Sequence, residues 1–199
     1  MTPELKEFNE TIWKTRGARF NAYRRLRAKH RWSTWSIAFL SFYTLAINIL
    51  PYAPIYLMND RQKNLIAFFS LMLSLFILIL SLLEGQNDYH LQASRLLSSA
   101  NEMSDLHNRT RLISNESNTR SELKKYISEY SFILNKYYEN HDPIDFEMFK
   151  TEHPDVKEFK MTPQKIALIN TKYYIESFWI YYLTACFFPI LTSLIIFIR

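Results

Sequence analysis

His30, His90, His107, His141 and His153 are the only imidazoles in the 199 residues, and Cys186 is the only thiol. No histidine stands at helical spacing from another histidine or from the cysteine, so none forms a metal-ligand pair. His141-Asp142-Pro143 and His153-Pro154-Asp155 resemble each other and fall in one proline-bearing stretch, where two such clusters can approach. A structural or solvated role is the simpler reading of both. Cys186 lies in an apolar run, a poor setting for a reactive thiolate, and a single cysteine rules out an intrachain disulfide. Gly17 and Gly85 are the only glycines, so there is no phosphate-cradling loop, no dinucleotide fingerprint and no nucleophile elbow. The expectation is a protein that is not an enzyme and carries no cofactor and no metal.

The more informative polar residues lie in apolar surroundings. At 100° per residue Ser41, Thr44 and Asn48 share one sector of a helix, and Ser70, Ser74 and Ser81 share a sector of another. Ser177, Thr184 and Thr192 repeat the pattern further on. Hydroxyls at such positions let helices pack closely; a polar stripe on each of several helices can also line a water-filled path. These six Ser, Thr and Asn residues of the first two groups are the pore-lining or gating candidates, Asn48 foremost, because a lone amide in hydrocarbon needs a partner. Near the N-terminus, Leu5, Phe8, Ile12, Trp13, Phe20, Tyr23 and Leu26 form an apolar stripe that also contains Arg16 and Arg19. Two guanidiniums in that stripe either pair with an acidic group or ligand, or snorkel to lipid headgroups.

The elements that must carry these residues follow from the distribution of charge. Net charge is +5, but residues 1–31 hold nine Lys/Arg against three Glu, whereas residues 84–176 are net acidic. A basic segment beside an apolar run points to anionic lipid, and direct nucleic-acid binding is not expected. Residues 32–59, 64–83 and 177–198 contain no Asp, Glu, Lys or Arg. A helix rises about 1.5 Å per residue, so ~20 residues cross a hydrocarbon core. The expected fold is therefore all-α, with three transmembrane helices and a cytosolic helical hairpin. Four segments divide it: a basic amphipathic cytosolic helix (1–31), a transmembrane hairpin (32–83), a cytosolic helical module (84–176) and a third transmembrane helix (177–199).

Pro51 and Pro54 trim the first span, and Pro189 is expected to kink the third. Arg24, Arg25, Arg27, Lys29 and Arg31 precede the first span, while the short loop after it has only Arg61 and Lys63. The positive-inside rule then puts the N-terminus in the cytosol and the C-terminus in the periplasm. Leu75, Ile79, Leu82, Gln86, Tyr89, Ala93, Leu96, Ala100, Met103 and His107 alternate in steps of four and three, so the second membrane helix is expected to continue to about residue 113, with Gly85 as its weak point. Residues 114–118 read as a turn, Thr119 and Glu122 as a capping box, and the helix after them as the return limb of an antiparallel hairpin. An intersubunit coiled coil has the same spacing. Residues 141–161 read as a loop or short helices folded onto that hairpin, and Thr162-Pro163 restarts a helix leading into the third span.

The run Arg16-Gly17-Ala18-Arg19-Phe20-Asn21-Ala22-Tyr23-Arg24-Arg25-Leu26 precedes a span opening Trp35-Ser36-Ile37, and a second span leads to a helix with Tyr89, Ala93 and Leu96. Over residues 8–140 this resembles the SLATT family, two-transmembrane effector domains associated with nucleotide-generating and nucleotide-sensing proteins in bacterial conflict systems. The third hydrophobic segment is additional to the two-span pattern. The resemblance implies a membrane effector of antiviral, abortive-infection defence in the bacterial inner membrane. Such an effector oligomerises and permeabilises the membrane when a partner or a nucleotide signal activates it. The implied partners are the lipid bilayer, further copies of the chain, and a nucleotide-generating enzyme or a reverse transcriptase. A membrane-anchored scaffold whose hairpin recruits a partner is the alternative.

Overall fold

In the computed structural model, residues 3–52, 58–112 and 119–197 are described; the side chains of Thr119 and of residues 185–197 are not. The described residues form six helices: α1 (Pro3–Ile49), α2 (Asp60–Asn87), α3 (Tyr89–Arg111), α4 (Thr119–Lys136), α5 (Pro143–Thr151) and α6 (Pro163–Phe197). The expectations for Pro54, the turn at 114–118, and the side chains of Thr119, Cys186, Pro189 and Thr192 lie outside the described residues.

Helix α1 begins at Pro3, where the missing N–H is no loss, and runs without a break to Ile49. Pro51 then closes it with a 3-10 turn, Leu50–Tyr52. Helix α2 starts at a reciprocal cap: the Gln62 backbone N–H donates to Asn59 Oδ1 (2.8 Å), and the Asn59 N–H donates to Gln62 Oε1 (3.0 Å).

The helix expected to continue to about residue 113 with Gly85 as its weak point is interrupted at Asp88 instead. Asp88 adopts φ 42°, ψ 46°, the left-handed conformation, and ends α2. Asp tolerates that region better than most residues. Gly85 is an ordinary helical residue inside α2. Only the second half of the heptad packs inward: Ala93, Leu96, Ala100 and Met103 are buried, whereas Leu75, Ile79 and Leu82 are exposed.

The chain divides into two compact units. Residues 1–28 and 89–177 form one, residues 29–88 and 178–199 the other. In the first, α3 and α4 pack antiparallel, joined by Arg109–Glu129 and Lys136–Glu102, and Arg95 on α3 pairs with Glu139 in the segment after α4 (2.6 Å). The N-terminal part of α1 lies along α3. Ile12, Met103, Leu106 and Ile133 form one buried cluster, and Ala22, Leu26, Ala93 and Leu96 another.

Residues 141–161, expected on the α3–α4 hairpin, make their aromatic and ionic contacts with α1. Trp13 takes Phe149 and His153 edge-on (4.8 and 4.9 Å between ring centroids) and stacks on Phe159 (6.1 Å). Asp145, fully buried, accepts from Arg25 Nε and Nη2 (2.8 and 2.9 Å), and Asp142 accepts from the same guanidinium at 2.6 Å. Arg24 reaches Glu152 at 3.0 Å and Lys14 reaches Glu158 at 2.8 Å. From α6, the Tyr173 hydroxyl donates to the Asn21 carbonyl (3.4 Å), and burial beside Asp145 pushes its pKa up.

In the second unit, Leu40, Leu73 and Leu80 form the seam between α1 and α2, flanked by Ile37, Ile47 and Ile77. Outside the seam the pair is coated with exposed apolar side chains, among them Phe42, Leu45, Ile49, Phe68, Leu71 and Leu82. Two helical stretches, Pro3–Tyr52 and Asp60–Arg111, are long and apolar enough to cross a membrane, and only 22% of the apolar window in each is buried within the protein. Helices of a soluble core would be mostly buried. This coat in water would be a large aggregation-prone patch; in hydrocarbon it is the expected surface. The start of the third apolar run belongs to the same unit: the Tyr181 hydroxyl donates to Glu84 Oε1 (2.9 Å), and Trp32 lies 5.9 Å from Tyr182.

Candidate functional site

Two sets of polar residues stand out, one in each unit. In the apolar unit, helical periodicity brings Thr44 and Asn48 to the side of α1 that meets Ser70 on α2. The Ser70 hydroxyl donates to Asn48 Oδ1 across the seam (2.8 Å). Asn48 Nδ2 donates to the Thr44 carbonyl (3.0 Å), and the Thr44 hydroxyl to the Leu40 carbonyl (2.8 Å). On α2, the Ser74 hydroxyl donates to the Ser70 carbonyl (2.9 Å), and on α1 Ser41 donates to Ile37 (2.9 Å). Thr44, Asn48, Ser70 and Ser74 are thus one hydrogen-bonded chain, and the amide that needed a partner has two.

Burial divides the six candidates. Thr44 and Ser70 are buried in the seam, Ser41 is half-buried, and Asn48, Ser74 and Ser81 are exposed. Ser74 and Ser81 are seven residues apart and share a face. A sequence reading cannot tell seam from surface here, because neighbouring helical positions differ by only 100°. Glu84, at the end of the charge-free run, was not singled out from the sequence, yet its Oε2 is buried without a hydrogen-bond partner while its Oε1 binds Tyr181. A carboxylate directly after twenty uncharged residues was the available signal.

The second set lies on α1 in the other unit. Arg19 is 2% exposed and donates through Nη1 to Ser99 on α3. Burial lowers its pKa, which Tyr130 and Glu139 partly offset. Arg16 is half-buried, and burial first, then Arg111, lowers its pKa as well. His141 is lowered by burial and then by Arg19, against the opposing pull of Asp145 and Asp142. His107 is lowered by burial, then by Arg16 and Arg111. The two histidine-proline clusters do not meet as a ligand pair: His153 Nδ1 lies 2.9 Å from the Phe149 carbonyl and its ring packs on Trp13. Among the described residues no group of three or more His, Cys, Asp or Glu could hold a metal ion.

The lowered imidazole values have a consequence for stability. Both histidines bind a proton less readily in the fold than at the ordinary value of 6.5. Above that value both folded and unfolded forms are neutral and nothing is lost. As pH falls below it, the unfolded chain takes up protons first, and stability declines until the folded groups also protonate. Thermal unfolding in detergent is expected to show a falling Tm as the pH is lowered through 6.5. His107→Gln and His141→Gln should each flatten that slope.

These features define a class: an all-helical membrane protein in which an apolar helical pair is joined through α1 to a charged helical unit. The chain belongs, within that class, to the SMODS and SLOG-associating 2TM effector domain family 5, whose model matches residues 1–195. This is a family of two-transmembrane effector domains associated with defence systems. The match extends beyond the 8–140 over which the sequence resemblance was read, and takes in most of the third apolar run. No curated protein and no solved structure matches the chain.

Proposed function

We propose that this chain is the membrane effector of a bacterial antiviral, abortive-infection system. In this reading it sits in the inner membrane with its N-terminus in the cytosol, and the charged unit receives the activating signal. The chain then assembles with further copies and permeabilises the bilayer. The observation that carries the reading is membership, over residues 1–195, of a two-transmembrane effector family. Asn48, Ser74 and Ser81 are exposed among apolar side chains; Asn48 and Ser74 are already hydrogen-bonded within the chain, and small polar residues on such a face let a further helix pack closely, which supports assembly. The third apolar run, grouped with the first two, is proposed as a further span with its end in the periplasm. A nucleotide-generating enzyme or a reverse transcriptase remains the proposed partner class.

The test is co-expression with the candidate defence partner, followed by phage challenge with dye entry and membrane potential recorded together. The reading requires depolarisation and dye entry before lysis. Cells that block infection while keeping their potential would remove it in favour of a scaffold, which the closed Asn48–Ser70 bond also suits.

Asn48→Leu separates the two readings. It deletes one interhelical bond, worth roughly 0.6 kcal/mol on average within membranes, so folding should be little affected. An effector that uses Asn48 between copies should lose most of its leakage in liposomes. A scaffold should keep its partner binding unchanged.

A further inference from the structure

Where α1 meets α3, Asn9, Ile12, Arg16 and Arg19 recur at intervals of three and four and so share one face. They meet α3 in antiparallel order. Thr110 donates to Asn9 Oδ1 (2.5 Å), Ile12 packs with Leu106 and Met103, and Arg19 donates to Ser99. Among the described residues, Arg16 has no such fixed partner. A helical side chain leans toward the N-terminus of its own helix. Its guanidinium is thereby biased toward the preceding turn of α1, on the side of the C-terminal end of α3, where His107 and Arg111 both interact electrostatically with it; the Asn9 amide reaches the same end of α3 through Thr110.

Among the described residues, this corner has donors and positive charge in excess. The neighbouring Arg109 is neutralised by Asp105 and Glu129. Among the described residues, Arg16, His107 and Arg111 have no carboxylate within ion-pair distance. Two buried nitrogen atoms beside them, Asn9 Nδ2 and His107 Nδ1, have no hydrogen-bond partner, and Asn9 is only 6% exposed. The dipole of α3 favours cations in its last turn and accounts for Arg109 and Arg111. It does not account for a half-buried guanidinium brought in from α1, nor for the unsatisfied amide. Like charges gathered without an acid destabilise a fold unless an anion joins them.

We propose that Asn9, Arg16, His107 and Arg111 form a binding site for a phosphate-class oxyanion. Arg16 and Arg111 supply the charge-assisted bonds. The Asn9 amide donates a further one, and His107 takes the tautomer or proton that the anion favours. The phosphate belongs either to a soluble phosphorylated compound or to a lipid headgroup. The site lies within one unit, and binding there does not require that the apolar helices form a pore. A failed binding test therefore leaves the leakage reading standing, and a failed leakage test leaves this one.

Full-length chain in a neutral detergent at low salt, dialysed to equilibrium against radiolabelled inorganic phosphate, tests the proposal. Saturable binding is expected, weakened about tenfold or more by Arg16→Gln and by Arg111→Gln, and unchanged by Arg27→Gln, which alters an exposed base on α1. Repeating the dialysis in bilayer discs identifies the source. Phosphatidylglycerol that suppresses phosphate binding, relative to phosphatidylcholine alone, marks a headgroup site; equal binding in both marks a soluble ligand. In phosphate-free buffer Arg16→Gln should hold or raise Tm, because it removes an unpaired charge. No saturable binding, equal binding by the Arg16 and Arg111 variants, or a marked fall in Tm for Arg16→Gln without phosphate overturns the site.

Discussion

Asp145→Ala is expected to destabilise the charged unit by about 3–5 kcal/mol, the cost of leaving a buried charge without its partner. Arg25 is 9% exposed, Asp145 is fully buried, and two hydrogen bonds join them. The carboxylate also accepts from the Asp142 backbone N–H (2.9 Å), so alanine also removes the bond that opens α5. Arg25 would keep only Asp142, whose side chain is largely exposed. Replacing both partners is a different experiment: Arg25→Met with Asp145→Leu leaves no orphaned charge and should recover much of the loss. Denaturant unfolding of the full chain in detergent, followed by Trp13 fluorescence, reads both, since that indole stacks on the segment being released. A loss below about 1 kcal/mol for Asp145→Ala would mean that water reaches Arg25 and the pair acts as a surface one.

That ion pair joins positions 120 residues apart, and no periodicity announces such a partnership. Periodicity and charge do announce part of the fold: the three–four spacing of Leu96, Ala100 and Met103 faces the core, and the first two charge-free runs lie in the two helical stretches apolar enough to cross a membrane. The stripe through Arg16 and Arg19 was visible too, but whether a guanidinium in a stripe meets lipid, acid or a serine depends on what folds against it. The break at Asp88 is hidden in the sequence for a local reason. The spacing of apolar residues continues through it, and the signal sought was a glycine, whereas an aspartate took the left-handed position. The contacts of residues 141–161 with α1 are not legible in the sequence, because acidic charge and aromatic rings suit either surface. The partners on α1 are Trp13, Arg24 and Arg25, and they become adjacent only when α1 and α5 are both formed.

Gly17 marks that meeting, and its substitution should reverse the usual effect of glycine replacement. In an exposed helix interior, Gly→Ala gains roughly 1 kcal/mol. Gly85→Ala should show that gain, since nothing lies within 4 Å of the Cβ it adds. At Gly17 the added Cβ would overlap three atoms of the Phe149 ring. The ring cannot swing aside freely. It is 3% exposed and held among Trp13, Phe146, His153 and Phe159. Overpacking of this kind costs about 1–3 kcal/mol, so Gly17→Ala should be net destabilising despite the better helix former, and Gly17→Leu more so. Phe149→Leu in the Gly17→Ala background removes ring atoms from the clash. The double variant should therefore be more stable than the sum of the single effects allows. Strict additivity of the two changes would show that α5 does not rest on the Gly17 notch. The coupling has a functional reading as well. If release of α5 from α1 is part of activation, Gly17→Leu should cause growth arrest without phage. A variant that is destabilised yet silent in uninfected cells would place the trigger elsewhere in the charged unit.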